Sequence, residues 1–443
     1  MNLPRFGGFA GSKIALLGLA IFIFACGIRP AAAVPSFAQQ TGQPCASCHV
    51  GAFGPQLTEY GREFKLNGYV ATDGGDHLPL AMMVQSSFTH TSADQPGATP
   101  HFGPNDNLAV DQVSLFYAGR LTDSIGAFVQ TTYDGVGRNF TWDNADIRFA
   151  QTGSLLGSPL LYGATLNNNP TVQDAWNSTP GWGFPFAQSP LAASPQAATL
   201  IDGGLAQQVV GAGAYALWND LLYVEADAYS GLGKDVRNGL GVVPVSGADE
   251  YDGLFPYWRL ALQHNFGSHY LELGTFGLSA KRIPGGDRSA GTDRITDVAA
   301  DLTYLYGGDP DNPITGYVTY IHEHQGLDAS SVLSGTNKSD YLNTFRVNGS
   351  YSYQNTFTFS GQRFQTRGSS DFAQYSGNGS PNSAGWIGEI AYVPGGKLDS
   401  WLPLPQWFNG RLSLQYTAYT EFNGTSSHAS DNNTLYALLW LAW

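Results

Sequence analysis

From residue 78 onward the chain is built of segments of roughly ten residues whose polarity alternates at every position, the weak signature of barrel strands. Residues 411–418 place Leu412, Leu414, Tyr416 and Ala418 on one side, and Arg411, Ser413, Gln415 and Thr417 on the other. Residues 297–304 set Val298, Ala300, Leu302 and Tyr304 against Asp297, Ala299, Asp301 and Thr303. Residues 222–228 set Leu222, Val224, Ala226 and Ala228 against Tyr223, Glu225 and Asp227. A period of two is strand geometry. A soluble sandwich would alternate as well, so the connections decide between the two. Sixteen such segments are separated mostly by alternating short connections (121–124, 219–220, 267–268, 308–313, 352–355) and long ones (91–108, 168–205, 230–256, 280–293, 325–338, 367–384). Outer-membrane barrels join their strands in this way, with short periplasmic turns and long outer loops. The 395–407 connection is the exception, long where a turn is expected.

After the N-terminal leader no apolar run approaches the length of about 20 residues that a transmembrane helix needs. Passage through a bilayer must then be by a closed barrel. The chain ends Leu435-Tyr436-Ala437-Leu438-Leu439-Trp440-Leu441-Ala442-Trp443, an aromatic-terminated last strand of the kind these barrels carry. Charged residues are only 13% and aromatics reach 13%, whereas soluble domains carry about 25% charge. The expectation is an all-β, 16-stranded antiparallel outer-membrane barrel over residues 78–443.

The first 33 residues read as a signal peptide. Arg5 and Lys13 form its positive region, Ile14 to Ile28 its apolar stretch, and Ala31-Ala32-Ala33 a small-residue cleavage site. Cys26 follows Ile23-Phe24-Ala25, a poor lipobox. The whole chain has a formal net charge of −14. Removing Arg5, Lys13 and Arg29 leaves 18 basic residues (21 less three) against 35 acidic ones, a net of −17. That balance disfavours nucleic acid and favours cations as partners.

Two cysteines remain after the leader, in Cys45-Ala46-Ser47-Cys48-His49. C-x-x-C-H is the signature for c-type haem attachment: two thiols positioned for the haem vinyl groups, and a histidine to lie under the iron as proximal ligand. A zinc site would need further strong ligands, a thioredoxin-type pair would need a βαβ setting, and a plain disulfide would not need His49. One covalent haem c on Cys45, Cys48 and His49 is therefore expected. Candidates for the sixth iron ligand are Met82, Met83 and His77, with His90, Tyr60 or an open position also in view. Residues 34–77, with a helix predicted near Gln56–Leu66, form the cytochrome segment. Their large apolar side chains are Phe37, Phe53, Leu57, Tyr60, Phe64, Leu66 and Tyr69. These are too few to cover a haem, so the segment is expected at the periplasmic mouth or inside the barrel, which supplies the rest. Arg148, Arg259, Arg346, Arg363 and Arg411 are expected to face the lumen.

The stretches Val34 to His49, Phe53-Gly54-Pro55-Gln56-Leu57 and Tyr60-Gly61-Arg62-Glu63-Phe64-Lys65-Leu66-Asn67-Gly68-Tyr69 resemble the fused outer-membrane monohaem cytochrome–porins. The resemblance covers roughly residues 34–70 in motif, and the barrel in architecture only. Characterised members of that family are iron(II) oxidases of iron-oxidising bacteria. The resemblance implies electron transfer from an extracellular donor, Fe(II), through the haem on Cys45, Cys48 and His49 to a periplasmic cytochrome or other carrier, and hence an iron(II)-oxidising oxidoreductase. It supplies no iron-binding residues. The rival expectation is a diffusion porin whose haem segment senses, gates or braces.

Overall fold

The computed structural model describes residues 35–71, 78–95, 99–242, 247–394, 398 and 409–443. The expected leader, His77 and all of the 395–407 connection except Leu398 lie outside these. The strands are β1 (Leu80–Thr91), β2 (Asn107–Arg120), β3 (Ile125–Asp134), β4 (Asn139–Leu155), β5 (Ser158–Asn167), β6 (Val209–Trp218), β7 (Leu222–Gly231), β8 (Glu250–Tyr251), β9 (Leu254–Phe266), β10 (His269–Ile283), β11 (Asp293–Tyr306), β12 (Ile314–Gly326), β13 (Ser339–Tyr353), β14 (Phe357–Gly368), β15 (Ser383–Tyr392), β16 (Asn409–Glu421) and β17 (Thr434–Ala442). The two-residue β8 only extends the edge beside β10. The other sixteen form one antiparallel sheet that closes where β1 pairs with both β2 and β17. Met82 and Trp443 exchange backbone hydrogen bonds of 2.8 and 3.0 Å at the seam. No helix among the described residues is long and apolar enough to cross a membrane. The wall is an outer-membrane barrel: its backbone polar groups pair strand to strand, and its outer face is apolar.

The alternation is realised as read. Val298, Leu412, Leu414, Tyr416 and Val224 are exposed on the outside, while Asp297, Asp301, Arg411, Gln415, Glu225 and Asp227 are buried on the inside. Short turns carry the matching chemistry. Asn219 and Asp220 both have positive φ, 55° and 51°, as the two-residue hairpin turn between β6 and β7 requires. Arg363 departs from the expectation. It sits on the outward register of β14 opposite Trp386, with its guanidinium 5.1 Å from that ring. Arg148, Arg259, Arg346 and Arg411 do face the lumen, each paired with a carboxylate.

The lumen is filled by the segment before β1 and by the connection between β5 and β6. Helices α1 (Pro35–Thr41), α2 (Cys45–Cys48) and α3 (Glu59–Leu66) lie inside the end that carries the short turns. That segment touches the wall almost all the way round. Tyr69 Oη donates to Asp146 at 2.6 Å, Gln56 reaches Thr315 and Ser350, and Phe53 packs edge-on to Trp440. Tyr215 donates to the Leu66 carbonyl. The 168–205 connection, read as an outer loop, instead folds inward, and Asn168 to Thr179 are all buried. Polar loop residues can be buried there because the wall pairs them. Arg259 bonds Ser178 and Asp301, lies 3.6 Å from Asp174, and stacks over Trp176.

Two outcomes are expected. Protease added to intact cells cleaves within 369–382 before 168–199; first cleavage in 168–199 would place that connection outside the lumen. Arg259→Met strands buried carboxylates and should lower unfolding free energy by about 3–5 kcal/mol, measured by denaturant titration in lipid vesicles.

Candidate haem site

Local structure sets the motif geometry. Pro44 is extended before α2, and the His49 amide closes the short helix on the Cys45 carbonyl at 2.8 Å. Thr58 caps α3 by accepting from the Gly61 amide at 3.2 Å, and its hydroxyl donates to the Ser47 carbonyl at 2.5 Å. The helix starts at Glu59, three residues later than the sequence suggests, because this cap holds Thr58 in extended backbone. Gly61 is required here: a Cβ on it would lie 2.3 Å from the Cys48 carbonyl oxygen. Thus α3 rests directly on the C-x-x-C turn.

Cys45, Cys48 and His49 line one cavity. Its walls are Phe37, Leu57, Phe64 and Tyr69 from the N-terminal segment, and Phe128 and Trp182 from β3 and the inward connection. Phe37 stacks on Tyr69 at 5.4 Å and meets Phe64 edge-on at 5.1 Å, so the rings are fixed by one another. Asn409 at the start of β16 donates to Cys45 Sγ at 3.2 Å. Both cysteines are free thiols. Burial pushes each thiol up to about 11, the reverse of the lowered value that a redox dithiol uses. Burial lowers His49 to about 4, which keeps its imidazole neutral and able to ligate. Its Nδ1 is buried without a hydrogen-bond partner. Two free thiols, a neutral imidazole and an aromatic-walled cavity fit a covalent haem. Among the described residues no group of three or more His, Cys, Asp or Glu is arranged to hold a bare metal ion.

Of the sixth-ligand candidates, Met83 is buried on the lumen face of β1, clustered with Phe37 and Phe128. Both Met83 and Met82 line a second cavity that His49 also borders. Met82 occupies the outward register of β1, His77 is not described, and His90 pairs with Asp106 on the exposed far end of β1. Tyr60 is 40% exposed. Phe128, Trp182 and Asn409 are site residues that sequence reasoning did not single out. On its own strand or loop each reads as ordinary.

Lys65 also faces the cavity, and its ammonium donates to the carbonyls of Val172 at 2.8 Å and Asp174 at 2.6 Å. Asn177 Nδ2 donates to the Pro55 carbonyl. The N-terminal segment and the inward connection are therefore one plug. The second cavity shares Pro180, Gly183 and Pro185 with a vestibule farther along the lumen, lined by Asp202, Arg346, Gln362 and Tyr419. The two cavities thus lie next to one another, and the nearer one reaches His49.

No family profile and no curated protein matches the chain. Among solved structures it is similar to an OmpF of Salmonella typhi (10% identity, 82% of this chain and 97% of that one, TM-score 0.46). It is also similar to an anion-selective porin of Comamonas acidovorans (10% identity, 82% and 98%, TM-score 0.45) and to a loop-deletion mutant of Vibrio cholerae OmpT (11% identity, 82% and 98%, TM-score 0.43). These likenesses concern the barrel fold.

Cys45→Ala with Cys48→Ala should abolish covalently bound haem, read by haem staining of the denatured protein; retained covalent haem overturns the site. A second outcome follows from Lys65, which burial and the neighbouring Arg148 lower from 10.5 to about 7. Between those values the folded chain binds fewer protons than the unfolded one, so this group makes stability rise with pH across that window. The slope of stability against pH from 7.5 to 10 should be smaller in Lys65→Met than in the parent.

Proposed function

We propose that this outer-membrane barrel is an electron conduit. It takes electrons from an extracellular donor, with Fe(II) the donor that the resemblance implies, and delivers them through one covalent haem to a periplasmic carrier. The observation that carries this reading is the placement of Cys45, Cys48 and His49 in an aromatic-walled cavity inside the barrel. A bound haem would supply a one-electron iron couple there. The protein's own residues do the rest. Phe37, Phe64, Phe128 and Trp182 give the cavity an aromatic wall, and His49 offers a neutral nitrogen. The neighbouring vestibule and second cavity lie between the loop side and His49, where a small donor would approach. On the opposite side, His49 borders a cleft at the short-turn end, flanked by Glu59, Glu63 and Asp311, where a carrier can approach. The acidic chain suits approach of a hard cation.

The second reading is a diffusion porin whose haem segment senses, gates or braces. The porins among the similar solved structures favour it, and so does the sixteen-strand wall, which has room for a lumen. The plug of residues 35–71 and 168–205 speaks against a wide channel.

The test uses the purified full-length protein in liposomes and planar bilayers. Fe(II) added on the loop side should reduce the oxidised haem, seen as sharpening of its α-band, and the bilayers should show little conductance. Large steady channels from haem-loaded protein, with no reduction by Fe(II), would replace the conduit with the porin.

A further inference from the structure

The lumen wall beside the plug contains acceptors with nothing to accept. Glu225 and Asp227 lie two residues apart on the inner face of β7, about 6.6 Å along the strand. Neither oxygen of Glu225 has a partner, and Oδ1 of Asp227 has none. Two further oxygens beside them are also unpartnered. Gln173 places its amide here, because Nε2 donates to Asp227 Oδ2 at 2.9 Å, yet its Oε1 is unpaired. Tyr257 stands directly across from Asp227 in the β7–β9 register, and its hydroxyl is unpaired. All four residues are at most 5% exposed. Gly213 opposite Asp227 makes room for the carboxylate, since a Cβ there would lie 1.4 Å from Oδ1.

The nearby cations are engaged elsewhere. Arg148 donates to Asp146 at 2.7 Å and to the carbonyls of Lys65 and Gln173. Arg259 directs Nη2 to Glu272, Asp301 and Ser178. Two buried carboxyl groups cannot both stay ionised without a counter-charge. Clustered oxygen donors of this kind, carboxylate, amide and phenol, suit a hard divalent ion.

We propose that Glu225 and Asp227, with Gln173 Oε1 and the Tyr257 hydroxyl, form a binding site for one hard divalent cation inside the lumen. Such an ion would tie β7 and β9 to the inward connection at Gln173. The site stands independently of the conduit reading. Its rivals are a proton shared by the two carboxyl groups, and a closer approach of Glu225 to Arg259, whose Nε and Nη1 also lack partners.

The experiment takes the chelator-stripped, full-length protein in detergent and titrates it with Mn²⁺, followed by electron paramagnetic resonance and metal analysis after gel filtration. One Mn²⁺ per chain should remain bound and be displaced by Ca²⁺. Glu225→Gln with Asp227→Asn should abolish this uptake. Gln173→Leu, which keeps both carboxylates, should weaken it about tenfold or more and decides the matter if the double variant does not fold. No uptake by the parent, or uptake unchanged in these variants, overturns the proposal. So does a carboxylic-acid infrared band that is present in the parent, insensitive to Mn²⁺ and absent from the double variant, because the pair then holds a proton.

Discussion

The constraint on which the rest of the structure depends is that a chain in hydrocarbon must pair every backbone N–H and C=O within itself. Here the closed ladder does so, with β1 pairing to β17 and the seam sealed between Met82 and Trp443. Closure at sixteen strands then creates a second problem, a lumen too wide for the wall's own side chains to fill. Two pieces of the chain fill it. One precedes the first strand, and the other connects β5 to β6. Because both are inside, the inward face of the barrel behaves as a core, with buried polar and charged groups interleaved among apolar clusters.

Such a core holds together by polar pairing as well as by apolar burial, the latter in clusters such as Val50, Leu66, Trp176, Tyr215 and Tyr223. Lys65 gives its ammonium protons to carbonyls of the inward connection, and Arg259 gathers Asp174, Glu272 and Asp301. Arg148 joins Asp146 to the backbone of both plug pieces. Each contact is worth something only because its partners are already dry, and each would be costly to break. The same logic explains why the aromatic cavity lies where it does. The N-terminal segment has few large apolar side chains, and Phe128 and Trp182 complete the enclosure from outside it.

The exceptions are informative. Arg363 was expected inside, yet it lies on the outward register, where Trp386 covers its face. Its strand has Gly361 in that same outward register, so local alternation is weak there and the side of each residue follows from pairing with β13 and β15. The 168–205 stretch shows why a long connection is not always an outer loop. Its polar residues look solvated in a linear reading, but Gln173, Asp174 and Asn177 find buried partners on the wall and the plug.

The sequence by itself determined the strands and most of their inward and outward faces, and it carries the C-x-x-C-H motif on which the haem proposal rests. Each of these is written in local periodicity or spacing: alternation at a period of two, turn residues such as Asn219-Asp220, and two thiols three residues apart with the histidine that follows. Only the tertiary structure decided which connection folds inward, that Met83 is buried in the cluster with Phe37 and Phe128, and that Phe128, Trp182 and Asn409 border the thiols. It also decided that Glu225 and Asp227 share a dry pocket with Gln173 and Tyr257. The physical reason is one of range. Alternation assigns a face to each residue from its neighbours in the chain, but the burial of a charge and the walls of a cavity depend on groups up to some 360 positions away, as Cys45 and Asn409 are.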